Sequence, residues 1–337
     1  MAQAISELGE FGLIRRLTQD IRTQQSSTIK GVGDDAAILR YGDATLAVTT
    51  DTLAEGIHFD LTYTPMQHLG YKAAVVAFSD LYAMNATPRQ LLVSIAVSAR
   101  FSVESLELFY QGLQHACEQY GADIAGGDTS PSLTGFCINV TAIGDVAPDK
   151  ISYRHTAQKG DLICVSGDLG AAYMGLQVLE REKKLFEESK GFQPQLEGYE
   201  YIVGRQLKPR ARKDIVDWLA SAGITPTAMI DLSDGLASGV LQMCSASKAG
   251  CEIHHHKIPI AEETIKTAEE FHMEPLVAAL NGGDDYELLF TVPVTVAERL
   301  YGQQEISILG YLTGQEDGCF LVPQNGDKIE IRGMNIK

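Results

Sequence analysis

Residues 228–235 read Ala-Met-Ile-Asp-Leu-Ser-Asp-Gly. A short apolar run enters two aspartates, Asp231 and Asp234, and Gly235 opens a segment of helical character over 235–248. The pattern is strand, acidic turn, helix. Outward from it, a helix is predicted at 209–222, a strand at 251–258, a helix at 261–271 and strands at 287–292 and 306–311. Upstream lie a strand at 161–166, a helix from about 169 to 185 and a charged stretch, 181–205, that reads as a surface excursion. The first half repeats the alternation. It offers an amphipathic helix at 5–22, a strand at 45–50 running into Asp51, an Ala-rich helix at 67–84 carrying Asp80, and a strand at 91–98. Ser102 caps a helix at 103–119, without a full capping box because Ser105 stands where an acid would complete it. A turn at Gly126-Gly127-Asp128 and a strand at 136–143 follow. Strands alternating with helices in both halves predict an α/β (or α+β) architecture. A linker-like composition at 145–161 divides the 337 residues into 1–148 and 149–337, in line with roughly 100–200 residues per domain.

The turn at 231–235 has company. Gly33-Asp34-Asp35, Thr49-Thr50-Asp51, Ser79-Asp80, Gly126-Gly127-Asp128 and Gly282-Gly283-Asp284-Asp285-Tyr286-Glu287 share its character. Glycine beside aspartate lets the backbone turn sharply or approach a phosphate closely. Any one such pair is an ordinary turn former, but six in one chain exceed what turns require. Carboxylates converging on a cleft repel one another unless cations sit among them. All-oxygen ligands select hard cations, and Mg²⁺ typically joins a few carboxylates to substrate phosphates. The set therefore points to a polyphosphate carried by magnesium.

Composition removes other classes. The formal charge of -17 disfavours a nucleic-acid backbone as partner. Six scattered cysteines without Cys-x-x-Cys spacing give no zinc or redox motif and fit a reducing cytoplasm. No signal peptide and no membrane span is expected. Gly31-Val32-Gly33-Asp34-Asp35-Ala36 has the form G-x-G-x-x-A, but two aspartates there would repel a dinucleotide's pyrophosphate. No P-loop, protein-kinase signature or G-x-S-x-G elbow occurs. His254-His255-His256 falls in a predicted strand, where His254 and His256 share a face and His255 points away; a structural role is the plainer reading than metal binding.

The segments GVGDDAAI, TTDTLAEGIHF, YKAAVVAFSDLYAMNATP, IAGGDTS, IDLSDGLASG and GGDDYELLF occur in that order. Together they resemble the thiamine-monophosphate kinases, within the aminoimidazole ribonucleotide synthetase-like superfamily, from about residue 8 to about residue 320. The resemblance implies a two-domain fold whose N-terminal sheet forms a barrel across a homodimer. It also implies transfer of the ATP γ-phosphoryl group to thiamine monophosphate with several Mg²⁺ ions. On that basis Asp34, Thr49, Thr50, Asp51, Asp80, Asp128, Asp231 and Asp234 would be metal ligands. Gly127, Asp128, Arg154 and Ser233 would touch ATP, and His58 and Asp284 would face thiamine monophosphate. The chain departs from the family pattern at Asp284, where Glu is frequent, and at its end, IEIRGMNIK, where an aromatic residue often contacts substrate.

The implied acceptor is a phosphate monoester with a second pKa of about 6, already largely deprotonated at neutral pH, so no general base is needed. Two other superfamily activities remain as alternatives, selenophosphate synthetase and aminoimidazole ribonucleotide synthetase, as does a non-enzymatic nucleotide or cation binder. The first cysteine is Cys117, whereas selenophosphate synthetases usually carry a reactive Cys near the N-terminus. The complete acid set argues against a mere binder.

Overall fold

The computed structural model describes residues 5–189 and 193–332. The first half holds α1 (Ile5–Thr18), β1 (Thr28–Lys30), β2 (Ala37–Tyr41), β3 (Ala44–Ala54) and α2 (Met66–Ala83). After these come β4 (Thr87–Val97), α3 (Val103–Tyr120), β5 (Asp123–Pro131) and β6 (Phe136–Asp145). They form a sheet of order β1-β2-β3-β6-β4-β5, antiparallel except for the parallel β4–β5 pair. Burial along β6 alternates with period two, and Phe136, Ile138, Val140 and Ala142 face inward. Gly70 on α2 and Gly112 on α3 make the helix contact: a Cβ on either would lie 1.9 Å from a backbone oxygen of the other helix. That close crossing seats α2, the carrier of Asp80.

The second half contributes β7 (Leu162–Ser166), α4 (Ala171–Glu188), α5 (Glu200–Leu207), α6 (Lys213–Ser221), β8 (Ala228–Asp231) and α7 (Leu236–Ser247). Then follow β9 (Ala249–His254), α8 (Glu262–Glu270), α9 (Pro275–Asn281), β10 (Leu288–Val292), α10 (Ala297–Leu300), β11 (Ile306–Gly314), β12 (Cys319–Val322) and β13 (Ile329–Glu330). Its sheet runs β13-β12-β9-β11-β7-β10-β8, with only β9–β12 parallel. Both sheets are thus mixed and mainly antiparallel. Among the described residues neither closes on itself. The largest core is continuous between the halves, joining Phe78, Leu81, Phe109 and Ile138 to Ile215, Leu219, Met229 and Phe290.

Several expected elements differ. The helix expected over 5–22 ends at Thr18, and Leu17 and Ile21 stand exposed, so no packing sustains a further turn. Gly126-Gly127-Asp128 is not a turn but the middle of β5. A Cβ at Gly127 would fall 1.9 Å from the Val93 carbonyl oxygen, so the glycine serves close strand approach. The stretch 181–205 is not an excursion over its whole length. α4 continues to Glu188, and Ile202 of α5 is buried with Met174, Val178 and Ala268. The charges there are matched internally: Glu182 accepts hydrogen bonds from Arg181 Nε at 2.9 Å and from the Gln195 N–H at 2.8 Å. β9 stops at His254, and residues 255–257 form a single tight helical turn in place of a continuing strand.

Candidate active site

The alternation of β3 decides which of its residues meet the other half. Thr49 and Asp51 share one face. Thr49 donates to Asp80 Oδ2 at 2.5 Å, and Asp51 interacts electrostatically with Asp231. Asp80 sits in the last turn of α2. Asp231 ends β8, and its Oδ2 accepts from the Ser79 hydroxyl at 2.6 Å. Asp34 and Asp35 come from the loop between β1 and β2. Arg154 spans them: Nη2 donates to Asp35 Oδ1 at 2.5 Å, its backbone N–H to Asp34 Oδ1 at 3.2 Å, and Nη1 to Gln242 Oε1 at 2.9 Å. Oxygens of Asp35, Asp80 and Asp231 all lie within 4.8 Å of one another. Ser233, Asp234, Gly235 and the ring of Phe11 complete the cleft.

So many buried carboxylates raise one another's proton affinity. Burial, opposed by Arg154 and reinforced by Asp231 and Asp34, pushes Asp35 up to about 8. Burial and Asp231 push Asp51 up to about 7. Burial, Asp51, Asp231 and Asp35 drive Asp80 well above the usual carboxylate range. Asp231 rises to about 6, burial outweighing the Ser79 hydrogen bond and the Arg154 charge. The buried oxygens Asp34 Oδ2, Asp35 Oδ2 and Asp51 Oδ2 have no hydrogen-bond partner. Asp34 Oδ2 is faced by Lys30 at 3.9 Å and His155 at 3.6 Å, and the acceptors left open on Asp35 and Asp51 in an all-oxygen cluster fit hard divalent cations.

The motif at 282–287 runs beside the turn at 231–235. The Asp284 N–H donates to Ser233 O at 2.8 Å, and the Tyr286 N–H to Leu232 O at 3.0 Å. Asp284 accepts from Lys72 Nζ at 2.9 Å, Gln206 Nε2 at 3.3 Å and the Tyr286 hydroxyl at 3.2 Å. Burial alone would raise its carboxyl, but Lys72 and the other donors hold it below its ordinary value. Its neighbours in sequence are structural. Asp285 accepts from the backbone N–H groups of Gly170 and Ala172, tying the loop to the start of α4. Glu287 lies between Arg205 and Arg212 and also accepts from Ser166.

Two family models cover most of the chain: AIR synthase related protein, N-terminal domain, over residues 33–146, and AIR synthase related protein, C-terminal domain, over 158–322. Thiamine-monophosphate kinase of Aquifex aeolicus is 33% identical over 98% of this chain and 98% of its own. The chain belongs to the thiamine-monophosphate kinase family. The Synechococcus elongatus member is 35% identical over 92% of this chain and 90% of its own. The solved structure of AaThiL complexed with AMPPCP and TMP superposes with a TM-score of 0.82 at 31% identity, covering 97% of this chain and 98% of that one.

Within this thiamine-monophosphate kinase family member, Asp34, Asp80, Asp231, Asp234, Arg154 and Ser233 line the cleft, and Thr49 and Asp51 adjoin it through Asp80 and Asp231. Other expected residues stand apart from it. The Thr50 hydroxyl faces the opposite side of the sheet, donating to Val140 O at 3.0 Å. Gly127 and Asp128 lie on the exposed strand β5. His58 sits in the turn after β3, its ring oriented by the Ala54 N–H, which donates to Nδ1 at 3.1 Å. Asp284 flanks the cleft: its N–H bonds Ser233 O, and its carboxylate accepts from the Tyr286 hydroxyl, which also feels the charges of Asp231 and Asp51. The contact expected from the chain's end falls at 333–337, outside the described residues. Sequence reading missed Asp35, Lys72 and Gln242. Asp35 adjoins Asp34 within one motif, so its adjacency was the available signal; Lys72 and Gln242 lie within helical segments and gave none.

Proposed function

We propose that this chain transfers the γ-phosphoryl group of ATP to thiamine monophosphate, yielding thiamine diphosphate and ADP. The observation that carries this reading is the convergence on one cleft of buried carboxylates from both halves, three of which, Asp34, Asp35 and Asp51 of the first half, keep an oxygen that accepts no hydrogen bond. It is joined by near-full-length likeness to thiamine-monophosphate kinases. Asp34, Asp35, Asp51, Asp80, Asp231 and Asp234 would hold Mg²⁺, which when bound neutralises phosphate charge and aligns donor with acceptor. Thr49 orients Asp80, and Ser79 orients Asp231. Arg154, Ser233 and the start of α7 supply cationic and N–H donors for the ATP phosphates. Thr50 and Asp128 would add metal ligands, Gly127 and Asp128 would touch ATP, and His58 and Asp284 would face the acceptor. The acceptor's own phosphate oxygen attacks, so the site provides positioning and charge without a base. Purified protein with ATP, Mg²⁺ and thiamine monophosphate should form thiamine diphosphate, and free thiamine should be left almost untouched. Comparable rates on both acceptors would remove this mechanism.

The finer architecture belongs to the same reading. The division falls at 1–148 and 149–337, and the first sheet closes into a barrel with that of a second copy. Strand β5 supports this, because all nine of its residues are exposed at a sheet edge. The strands expected at the contact, 45–50, 91–98 and 136–143, are paired on both sides within the sheet, so they would offer a face to it while β5 offers the edge. The compartment is the cytoplasm. Six free thiols fit that choice, and among the described residues no helix is long and apolar enough to cross a membrane. Light scattering at micromolar concentration should give twice the formula mass of 36.6 kDa; a species at the formula mass would rule the dimer out.

A further inference from the structure

Three cysteines from different elements meet in the second half, away from the carboxylates. Cys244 is on α7, Cys251 on β9 and Cys319 on β12, where the parallel β9–β12 register sets Cys319 opposite Cys251. Their sulfur atoms all lie within 4.8 Å of one another. Cys244 and Cys251 are buried, and Cys319 is partly exposed. The surroundings are apolar, including Leu236, Val240, Ile253, Leu312 and Leu321.

Thiols used only as small apolar fillers have no reason to point three sulfurs at one place. A disulfide would use two and leave the third idle. Zinc–sulfur bonds of about 2.3 Å in tetrahedral geometry hold neighbouring sulfurs about 3.8 Å apart, so each pair here needs to close by about 1 Å at most. We propose that Cys244, Cys251 and Cys319 form a binding site for one thiophilic divalent cation of the zinc class. Charge selects the ion. Three thiolates with a dipositive ion leave one net negative charge, whereas with Cu(I) they leave two, and apolar surroundings favour the smaller. Each thiol loses its proton as its sulfur–metal bond forms, so binding releases up to three protons and strengthens as pH rises. The ion enters from the Cys319 side. Sequence spacing concealed the site, because its third ligand comes from a distant strand.

The test uses the reduced, full-length protein with excess Mg²⁺ to occupy carboxylates, titrated with Cd²⁺ as a spectroscopic probe. The expected result is one equivalent bound with thiolate-to-metal charge-transfer absorption, displaced by Zn²⁺. Cys319→Ser, at the partly exposed position, should retain native circular dichroism and weaken Cd²⁺ binding at least tenfold. Cys244→Ser should do the same, and Cys137→Ser should leave the absorption unchanged. Absence of the charge-transfer band overturns the proposal, as does a band that persists at full affinity in both Cys319→Ser and Cys244→Ser. A disulfide among the three, formed in air by a protein that shows no band when reduced, would identify a redox pair in place of the metal site.

Discussion

Asp51 carries a buried carboxylate oxygen with no hydrogen-bond partner, and Asp231 adds repulsion. Asp51→Asn keeps the shape and removes one charge. It is expected to lower kcat roughly 100-fold or more, as loss of a preorganised electrostatic group does. In Mg²⁺-free buffer its melting temperature should be no lower than that of the parent, because a source of repulsion has gone. Steady-state turnover at saturating Mg²⁺ checks the first expectation and thermal melts without Mg²⁺ the second; a large destabilisation without Mg²⁺ would mean that Asp51 is a structural acceptor. Lys72 makes a complementary case. Its ammonium, buried on α2, holds Asp284 at 2.9 Å. Lys72→Met should raise KM for thiamine monophosphate several-fold more than KM for ATP, and equal changes would detach Asp284 from the acceptor. At this scale the sequence was readable where a motif names its own chemistry. Asp34, Asp80 and Asp231 stood out as acids beside glycines or at element ends. Thr50 did not betray its direction, because strand parity sends it away from Thr49 and Asp51 once the strand extends through all three. Lys72 looked like any helical lysine.

Among elements, β5 shows most clearly what local chemistry hides. Gly126-Gly127-Asp128 has the composition of a turn, yet the glycine is needed because β4 passes so close. Gly127→Ala should force β5 away from β4 and weaken both stability and self-association, visible as a lower denaturation midpoint and a smaller mass in light scattering. An unchanged midpoint would show that the strand yields without cost. Helices α2, α3 and α7 were legible, α2 from its alanines and α3 from the Ser102 cap, which accepts from the Ser105 N–H at 3.2 Å. The last turn of α4 and the whole of α5 were not. Their charges look solvated in sequence, but Glu182 accepts from Arg181 and from the Gln195 N–H, and Arg205 pairs with Glu287, remote in the chain. Likewise, alternating strands and helices suggested the class but not that antiparallel pairing would dominate, since strand direction depends on connections that no local pattern records.

For the whole molecule, the shared core matters more than the linker composition near 145–161. Phe78 and Phe109 pack in the same cluster as Leu219 and Phe290. Unfolding either half alone would expose that cluster to water, at about 25 cal/mol for each Å² of apolar surface. Calorimetry should therefore record one cooperative transition, and two separated transitions would show that the halves melt independently. The acids need this arrangement too, because Asp51 and Asp80 come from one half and Asp231 from the other.

Helix α2 carries Lys72 and Asp80 eight residues apart, which at about 1.5 Å per residue is about 12 Å along its axis. One end of this rod meets the acids, and the other holds Asp284. It therefore sets the spacing between the carboxylate cluster and Asp284. One residue inserted between these two positions would rotate them by about 100° relative to each other, so the spacing cannot be lengthened by single steps. A change in that spacing would have to come from Asp284 and its loop, the end that can be adjusted by a methylene at a time.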